Sequence, residues 1–335
     1  VYVGALSSLL GIDKNIYEVL IEEQFKGKEK LIEPNVKALG LGFNYAEENL
    51  RDRCAIKVEK SNKTDGMILT SGNDASGLGC IYGGATVCTW YPITPSTSLA
   101  ESFTSYCEEL RIEPKSDKNK FAIIQAEDEL AAIGMAIGAN WNGARGFTAT
   151  SGPGISLMSE FIGLAYFAEV PLVIFDIQRG GPSTGMPTRT QQSDVLTCAY
   201  ASHGDTKHVL LMPSTPKECF DFAVEAFDLA DRLQTPIIVL SDLDLGMNDW
   251  TTPELKWDDS REYDRGKVLS KADLENLDTY GRYLDVDGDG IPYRTYPGTH
   301  PNKGAYFTRG TSHDENARYT EDGKVNAKNL SRLLK

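Results

Sequence analysis

The chain has 335 residues, 41% of them hydrophobic and 24% charged, enough for one sizeable core with an appendage. With 48 acidic against 34 basic side chains the formal net charge is −14, which argues against a phosphate-tracking nucleic-acid binder, although a local basic site could still hold an acidic small molecule. No apolar run reaches membrane-spanning length, and the six cysteines (Cys54, Cys80, Cys88, Cys107, Cys198, Cys219) form no CxxC pair and no Cys/His grouping, a pattern that fits a reducing, cytoplasmic setting and lacks zinc or iron-sulfur spacing.

Residues 1–66 open with VGALSSLLGI, run on through helical sequence to EENL, and end in the polar stretch VEKSNKTDG. They read as the end of a preceding domain and its linker. The first residue is Val1, and the closing VNAKNLSRLLK reads as a helix still running, so both ends suggest a piece of a longer polypeptide. Over 67–250 helices and strands alternate. The pattern predicts a helix over GLGCIYGGATVCTW (77–90), a strand over FAIIQ (121–125), a helix from Glu129, and a strand over GFTAT (146–150). A helix over 155–168, strands at PLVIFDI (171–177) and HVLLM (208–212), a helix over 216–233 and a strand at PIIVLSD (236–242) follow. The implied fold is α/β, a doubly wound, mainly parallel sheet with ligands at the carboxyl ends of its strands. Residues 251–335 are aromatic, charged and turn-rich without clear alternation.

The stretch AEDELAAIGMAIGANWNGARGFTATSGPG (126–154) concentrates the chemistry. Its helix is apolar all round and has to be buried. Glu127 and Asp128 read as acids that cap and complement a helix N-terminus. Glu129 leads directly into LAAIG, where a desolvated carboxylate favours a shared proton. The small residues Ala131, Ala132, Gly134, Ala136, Gly138 and Ala139 would admit another backbone or a flat ligand, or serve tight helix packing. Ser151 or Gly152 caps the next helix, with Pro153 at its start, and free amides there can hold an anion or polar ligand.

Two loops follow predicted strands. In WYPITPSTSLAES, Pro92 and Pro95 stiffen a turn that presents Thr94, while Ser96 and Thr97 read as capping residues. In QRGGPSTGMPTRTQQSD, Arg179 leaves an apolar strand into a Gly/Pro-rich loop, where a guanidinium can clamp a carboxylate in bidentate fashion. Farther on, Asp285, Asp287 and Asp289 in DVDGDG have the oxygen spacing of a calcium loop, but position twelve is Tyr296 rather than glutamate. A structural metal loop and a plain Asp/Gly turn both stay open. The four histidines (His203, His208, His300, His313) show no zinc spacing and read as surface or structural residues.

The 126–154 segment resembles the pyrimidine-binding domain of thiamine-diphosphate enzymes, and YPITPSTSLAE together with QRGGPSTGMPTRTQQSD is similar to the alpha subunit of 2-oxoacid:ferredoxin oxidoreductases, most closely of the 2-oxoglutarate type. The resemblance covers about 67–250; it implies that 1–66 end a fused gamma-type domain and that 251–335 are an inter-domain extension before an absent C-terminal domain. It implies that Glu129 contacts the aminopyrimidine N1′ and promotes loss of the thiazolium C2 proton, with Ser151, Gly152 and Pro92 also at the cofactor. Thr94, Arg179 and Thr188 would line the 2-oxoacid site. By the same resemblance a beta subunit supplies the diphosphate-binding domain, Mg2+ and a [4Fe-4S] cluster, coenzyme A takes the acyl group, ferredoxin takes the electrons, and alpha-beta pairs dimerise. Such an alpha chain alone would be inactive. A non-redox enzyme of the acetolactate synthase or decarboxylase type, or a non-catalytic assembly subunit, are the alternatives.

Overall fold

The computed structural model describes residues 1–113 and 118–335. They form two compact units, Val1–Asp65 and Gly66–Lys335. The first contains the helices α1 (Tyr2–Leu10), α2 (Lys14–Gln24) and α3 (Ile32–Asn49). A Cβ on Gly4 would stand 1.9 Å from Leu39 O and one on Gly42 1.8 Å from Val1 O, so α1 and α3 touch backbone to backbone through glycine.

The second unit opens with β1 (Met67–Thr70), α4 (Gly72–Tyr82), β2 (Val87–Trp90), α5 (Thr97–Leu110), the short strands β3 (Ile112–Glu113) and β4 (Lys118–Asn119), and β5 (Ala122–Gln125). Then come α6 (Glu129–Trp141), β6 (Gly146–Thr150), α7 (Gly152–Ala168), β7 (Leu172–Gln178), α8 (Val195–Ala199), β8 (Val209–Leu211), α9 (Pro216–Leu233) and β9 (Pro236–Asp242). After α10 (Leu243–Met247), β10 (Trp250–Pro253) pairs antiparallel with β1, and α11 (Lys271–Asn276) and α12 (Gly323–Arg332) complete it.

Six strands make one parallel sheet in the order β5-β2-β6-β7-β9-β8. The chain moves outward from β2 to β5, then returns to lay β6 on the other side of β2. Strand order therefore reverses between β2 and β6, the place where open parallel sheets bind ligands. Strands β6, β7 and β9 are buried at every position, as expected of a parallel sheet covered on both faces. On one face Phe147 meets Phe103 and Phe175 edge-to-face at 4.9 and 5.6 Å between ring centroids. On the other, Ile133, Met158 and Ile162 from α6 and α7 pack on Ile174 and Ile238.

The sequence pattern predicted one helix over 77–90, and this needs correcting. The helix ends at Tyr82, Gly84 turns the chain with φ of 78°, and VCTW becomes β2. A β-branched, apolar quartet paired on both sides is a strand whatever precedes it.

Residues 251–335 belong to the sheet-bearing unit and are fastened to it by buried charge. Arg145, at the start of β6, pairs with Asp228 at 2.7 Å and Asp231 at 2.9 Å on α9, and Asp231 also receives Arg294 at 2.7 Å and Arg265 at 3.3 Å. A second cluster closes the far end. Glu169, fully buried beyond the C-terminus of α7, is gripped by Arg332 and Lys335, while Arg282 donates to its backbone carbonyl at 2.7 Å. Among the described residues no helix is long and apolar enough to cross a membrane.

Burial alone would raise the Glu169 carboxyl, but Lys335 and Arg332 outweigh it and hold it at about 2, below its ordinary 4.5. A depressed folded value means the contribution is complete above pH 4.5 and is lost as pH falls toward 2. Glu169→Gln should therefore cost about 3–5 kcal/mol at neutral pH by leaving buried cations unpaired. Urea unfolding at pH 7 and in acid checks this: the gap between variant and parent should narrow as the pH approaches that of the folded carboxyl.

Candidate active site

Four loops leave the carboxyl ends of β2, β5, β6 and β7 and carry the residues singled out in the sequence. Asp128 caps α6, its carboxylate accepting from Ala131 N at 2.7 Å, as expected for an end-of-helix acid. The next residue differs. Glu129 is 7% exposed, and among the described residues its carboxylate has no hydrogen-bond or ion-pair partner. The helix that carries it is held at both ends: Thr89 of β2 donates to Ala132 O at 2.7 Å, and Asn140 bonds both the N–H and the carbonyl of Gly146.

Glu129 lies against the first turn of α7. A Cβ on Gly154 would stand 1.9 Å from Thr150 Oγ1 and 3.1 Å from Glu129 Cγ, so only glycine lets the acid and the helix start share this space. Ser151 is the N-cap of α7, yet its hydroxyl makes no capping bond and is buried without a partner. The buried Glu129 and the unpartnered Ser151 hydroxyl border the first turn of this 17-residue helix, where the Gly154 and Ile155 amides donate to Ser151 O.

Arg179 stands beyond the end of β7, 7% exposed. Its Nη1 donates to Thr94 O at 2.6 Å and its Nη2 to Thr184 O at 3.1 Å, while Nε has no partner. Among the described residues this buried cation makes no ion pair, unlike Arg145. Together with Gly152, Pro153 and Ser156 it lines a cleft of about 410 Å³. The Arg179 loop folds back on itself through Gly180 N to Arg189 O at 2.8 Å and Met186 N to Gly180 O at 2.7 Å.

Not every sequence candidate enters the cleft. Thr94 is joined to Arg179 through its carbonyl, but its side chain and that of Pro92 face solvent. Thr188 is exposed, its carbonyl and hydroxyl accepting from Arg189 at 2.7 and 3.2 Å, and it does not line the cleft. Ser96 and Thr97 bond Ile93 within their turn. For Asp285, Asp287 and Asp289 the geometry matches the Asp/Gly turn: Asp285 accepts from Gly288 N and Gly290 N, and Lys267 binds both Asp287 and Asp289. Among the described residues no three metal-capable side chains converge. His208 and His313 are pushed down by burial, and His313 stacks on Tyr283 at 3.7 Å. A larger cavity of about 660 Å³, farther along α7 by Phe161 and His203, holds none of the candidates.

Three residues went unread. Asn73, fully buried in α4, donates to Pro95 O at 2.9 Å and Ser98 Oγ at 2.8 Å and so sets the Thr94 turn. Gln178 accepts from Asp194 N at 3.0 Å, and Asp194 lines the cleft. Only Asn73, beside Asp74 at the start of a helix of mostly small residues, hinted at the first.

Comparison with known proteins agrees with this geometry. Residues 78–286 match the family described as pyruvate flavodoxin/ferredoxin oxidoreductase, thiamine diP-bdg, over more than half of the chain. The chain belongs to this family. Subunit alpha of 2-oxoacid:ferredoxin oxidoreductase 2 from Aeropyrum pernix is 38% identical over 320 residues, 94% of this chain and 48% of that protein. The 2-oxoglutarate synthase subunit KorA of Methanothermobacter marburgensis is 48% identical over 171 residues, 51% of this chain and 43% of that subunit. Among solved structures, 2-oxoglutarate:ferredoxin oxidoreductase from Magnetococcus marinus, with 2-oxoglutarate, coenzyme A and succinyl-CoA bound, superposes with a TM-score of 0.83 at 32% identity, over 99% of this chain and 55% of that chain. The chain spans about half the length of the curated relatives it matches. The family's thiamine-binding fold is the parallel sheet described above.

Gly154→Ala should displace Glu129 and Thr150 at a cost of about 1–3 kcal/mol. Thermal unfolding and thiamine diphosphate binding, both measured on the assembled protein, should weaken together.

Proposed function

We propose that this chain is the alpha component of a thiamine-diphosphate-dependent 2-oxoacid:ferredoxin oxidoreductase that decarboxylates a 2-oxoacid oxidatively with coenzyme A, or runs the reverse carboxylation. The observation that carries this reading is Glu129, buried and without a hydrogen-bond or ion-pair partner among the described residues, together with Arg179, a buried cation held by two backbone carbonyls, at the strand ends flanking the switch point. Unpaired buried charges are costly and mark places where a ligand completes the electrostatics.

Thiamine diphosphate, when bound, supplies the electron sink for breaking the bond between a ketone carbon and its carboxylate. Glu129 holds a proton at the pyrimidine N1′, a role suited to a dry carboxylate that no protein group claims. Ser151 and Gly152 complete the contacts to that ring, and Pro92 approaches it from its exposed loop. Arg179 receives the 2-oxoacid carboxylate. Its Nη groups are anchored on Thr94 and Thr184 carbonyls, which fixes the plane of the guanidinium before substrate arrives. Thr94 lends its carbonyl to this anchoring, and Thr188, exposed in the same loop as Arg179, is the further candidate for the 2-oxoacid.

The 2-oxoacid is 2-oxoglutarate in this reading, supported by the relatives' names and by the ligands of the Magnetococcus enzyme. A beta subunit carrying the diphosphate domain, Mg2+ and a [4Fe-4S] cluster is the partner, ferredoxin the acceptor, and a dimer of alpha-beta pairs in the cytoplasm the working unit. Five of this chain's six cysteines are buried, and Cys80, Cys88 and Cys107 share one apolar core cluster.

The test is co-expression of the full-length subunit with its partner and an assay of viologen or ferredoxin reduction by several 2-oxoacids with coenzyme A. Strict dependence on both chains and on thiamine diphosphate is expected, with 2-oxoglutarate preferred. Glu129→Gln should fold normally, by circular dichroism, and lose at least 100-fold in kcat, on the order of a general acid-base contribution. Arg179→Ala should raise KM for the 2-oxoacid more than it lowers kcat; unaltered KM would remove Arg179 from the substrate site.

A further inference from the structure

The cleft contains a carboxylate that this chemistry leaves unused. Asp194 enters it from the end of the Arg179 loop and is fixed from two sides. Its N–H donates to Gln178 Oε1 at 3.0 Å, and Gln178 is itself tied to Ser241 O at 3.2 Å. Its carboxylate lies over the first turn of α7, where a Cβ on Gly152 would stand 2.7 Å from both oxygens. Oδ1 accepts from Ser193 Oγ at 3.3 Å, whereas Oδ2 is buried without a partner.

The charged and titratable neighbours can be named element by element. Arg179 lines the same cleft from the end of β7, close enough to act on Asp194 electrostatically but not in direct ion pair with it. From within β7, Asp176 is fully buried, its Oδ1 unpartnered and its Oδ2 accepting the Cys198 thiol of α8 at 3.4 Å. Asp242 at the end of β9 is engaged by Gln192 at 2.7 Å and Leu245 N at 3.0 Å. Burial pushes Asp176 well above the usual carboxylate range, and Asp194 adds to this. Burial also pushes Asp194 up, against the Ser193 hydrogen bond and Arg179, which pull it down.

We propose that Asp194 is the resident counter-charge of Arg179, and that a carboxylate ligand entering the cleft takes over this role, so that Asp194 picks up one proton from solvent as the ligand binds. The ligand's identity rests on the function proposed above. Two anions then compete for one buried cation, and the anion that stays behind gains affinity for a proton. By linkage, the ligand binds most tightly at low pH and its Kd rises tenfold per pH unit between the proton affinities of the free and liganded sites, levelling off on either side. Asp194 thus balances Arg179 while the cleft is empty, and one carboxylate of the ligand balances it when the cleft is filled.

The test is titration calorimetry on the assembled full-length enzyme. The probe is 2-hydroxyglutarate, which carries both carboxylates but no ketone to react, used in two buffers of different ionisation enthalpy across pH 5 to 8. The parent protein should take up close to one proton per ligand within the sloping part of the profile. Asp194→Asn and Asp194→Ser should bind without proton uptake and with a flat pH profile. Binding by the parent without uptake, or uptake unchanged in both variants, overturns this proposal alone. No binding at any pH overturns it together with the 2-oxoacid reading, and the proton count on the parent needs no variant to fold.

Discussion

The approach of Glu129 to the N-terminus of α7 is the constraint from which the rest of the site follows. The start of α6, after β5, and the start of α7, after β6, can meet across β2 only where side chains are absent; Gly154 leaves that room for Glu129, and Gly152 leaves it for Asp194 from the Arg179 loop. The sheet makes the meeting possible. Because strand order reverses between β2 and β6, the loops after these strands diverge and leave a crevice rather than a packed surface. Thr89 and Asn140 then lock α6 to the strands on either side, so the acid at its start is aimed by backbone contacts and not by its own partners.

The molecule treats buried charge in two ways. Where charge serves stability it is neutralised on the spot, as in Arg145 with Asp228 and Asp231, or Glu169 with Arg332 and Lys335. At the proposed site it is left open. Among the described residues Glu129 has no side-chain partner, Arg179 has carbonyls in place of carboxylates, and Asp194 keeps one oxygen bare. Desolvation costs of this kind are tolerable only because the surrounding strands are apolar, deeply buried and rigid.

Much of this was legible in the sequence, for identifiable reasons. GFTAT and PIIVLSD coincide with β6 and β9, and 216–233 with α9, because their periodicities are unmixed and their ends carry Gly, Pro or a capping Thr. The 77–90 stretch misled because a small-residue helix runs into a central strand across two glycines with no polar break, and only pairing with β5 and β6 decides the matter. Glu129 and Arg179 stood out by their neighbours. Asn73 and Asp194 did not, because their significance comes from Pro95 and Gly152, each more than 20 residues away, and no local pattern records such a meeting. Thr188 shows the converse: the motif names the residue, while the fold leaves its side chain outside the cleft.

Asp231 has a consequence for how the sheet-bearing unit holds together. It is shared by Arg145 from the sheet and by Arg265 and Arg294 from the irregular C-terminal stretch, so one carboxylate serves both parts. Detaching the C-terminal stretch would strand the carboxylate among fewer cations and expose Glu169 at the other end without Arg332 or Lys335. The two parts are therefore thermodynamically inseparable and should melt as one cooperative foldon. A chain cut at the end of the last sheet strand would look complete by topology and yet lack the cations that Asp231 and Glu169 hold from the C-terminal stretch, so what it misses is electrostatic rather than architectural.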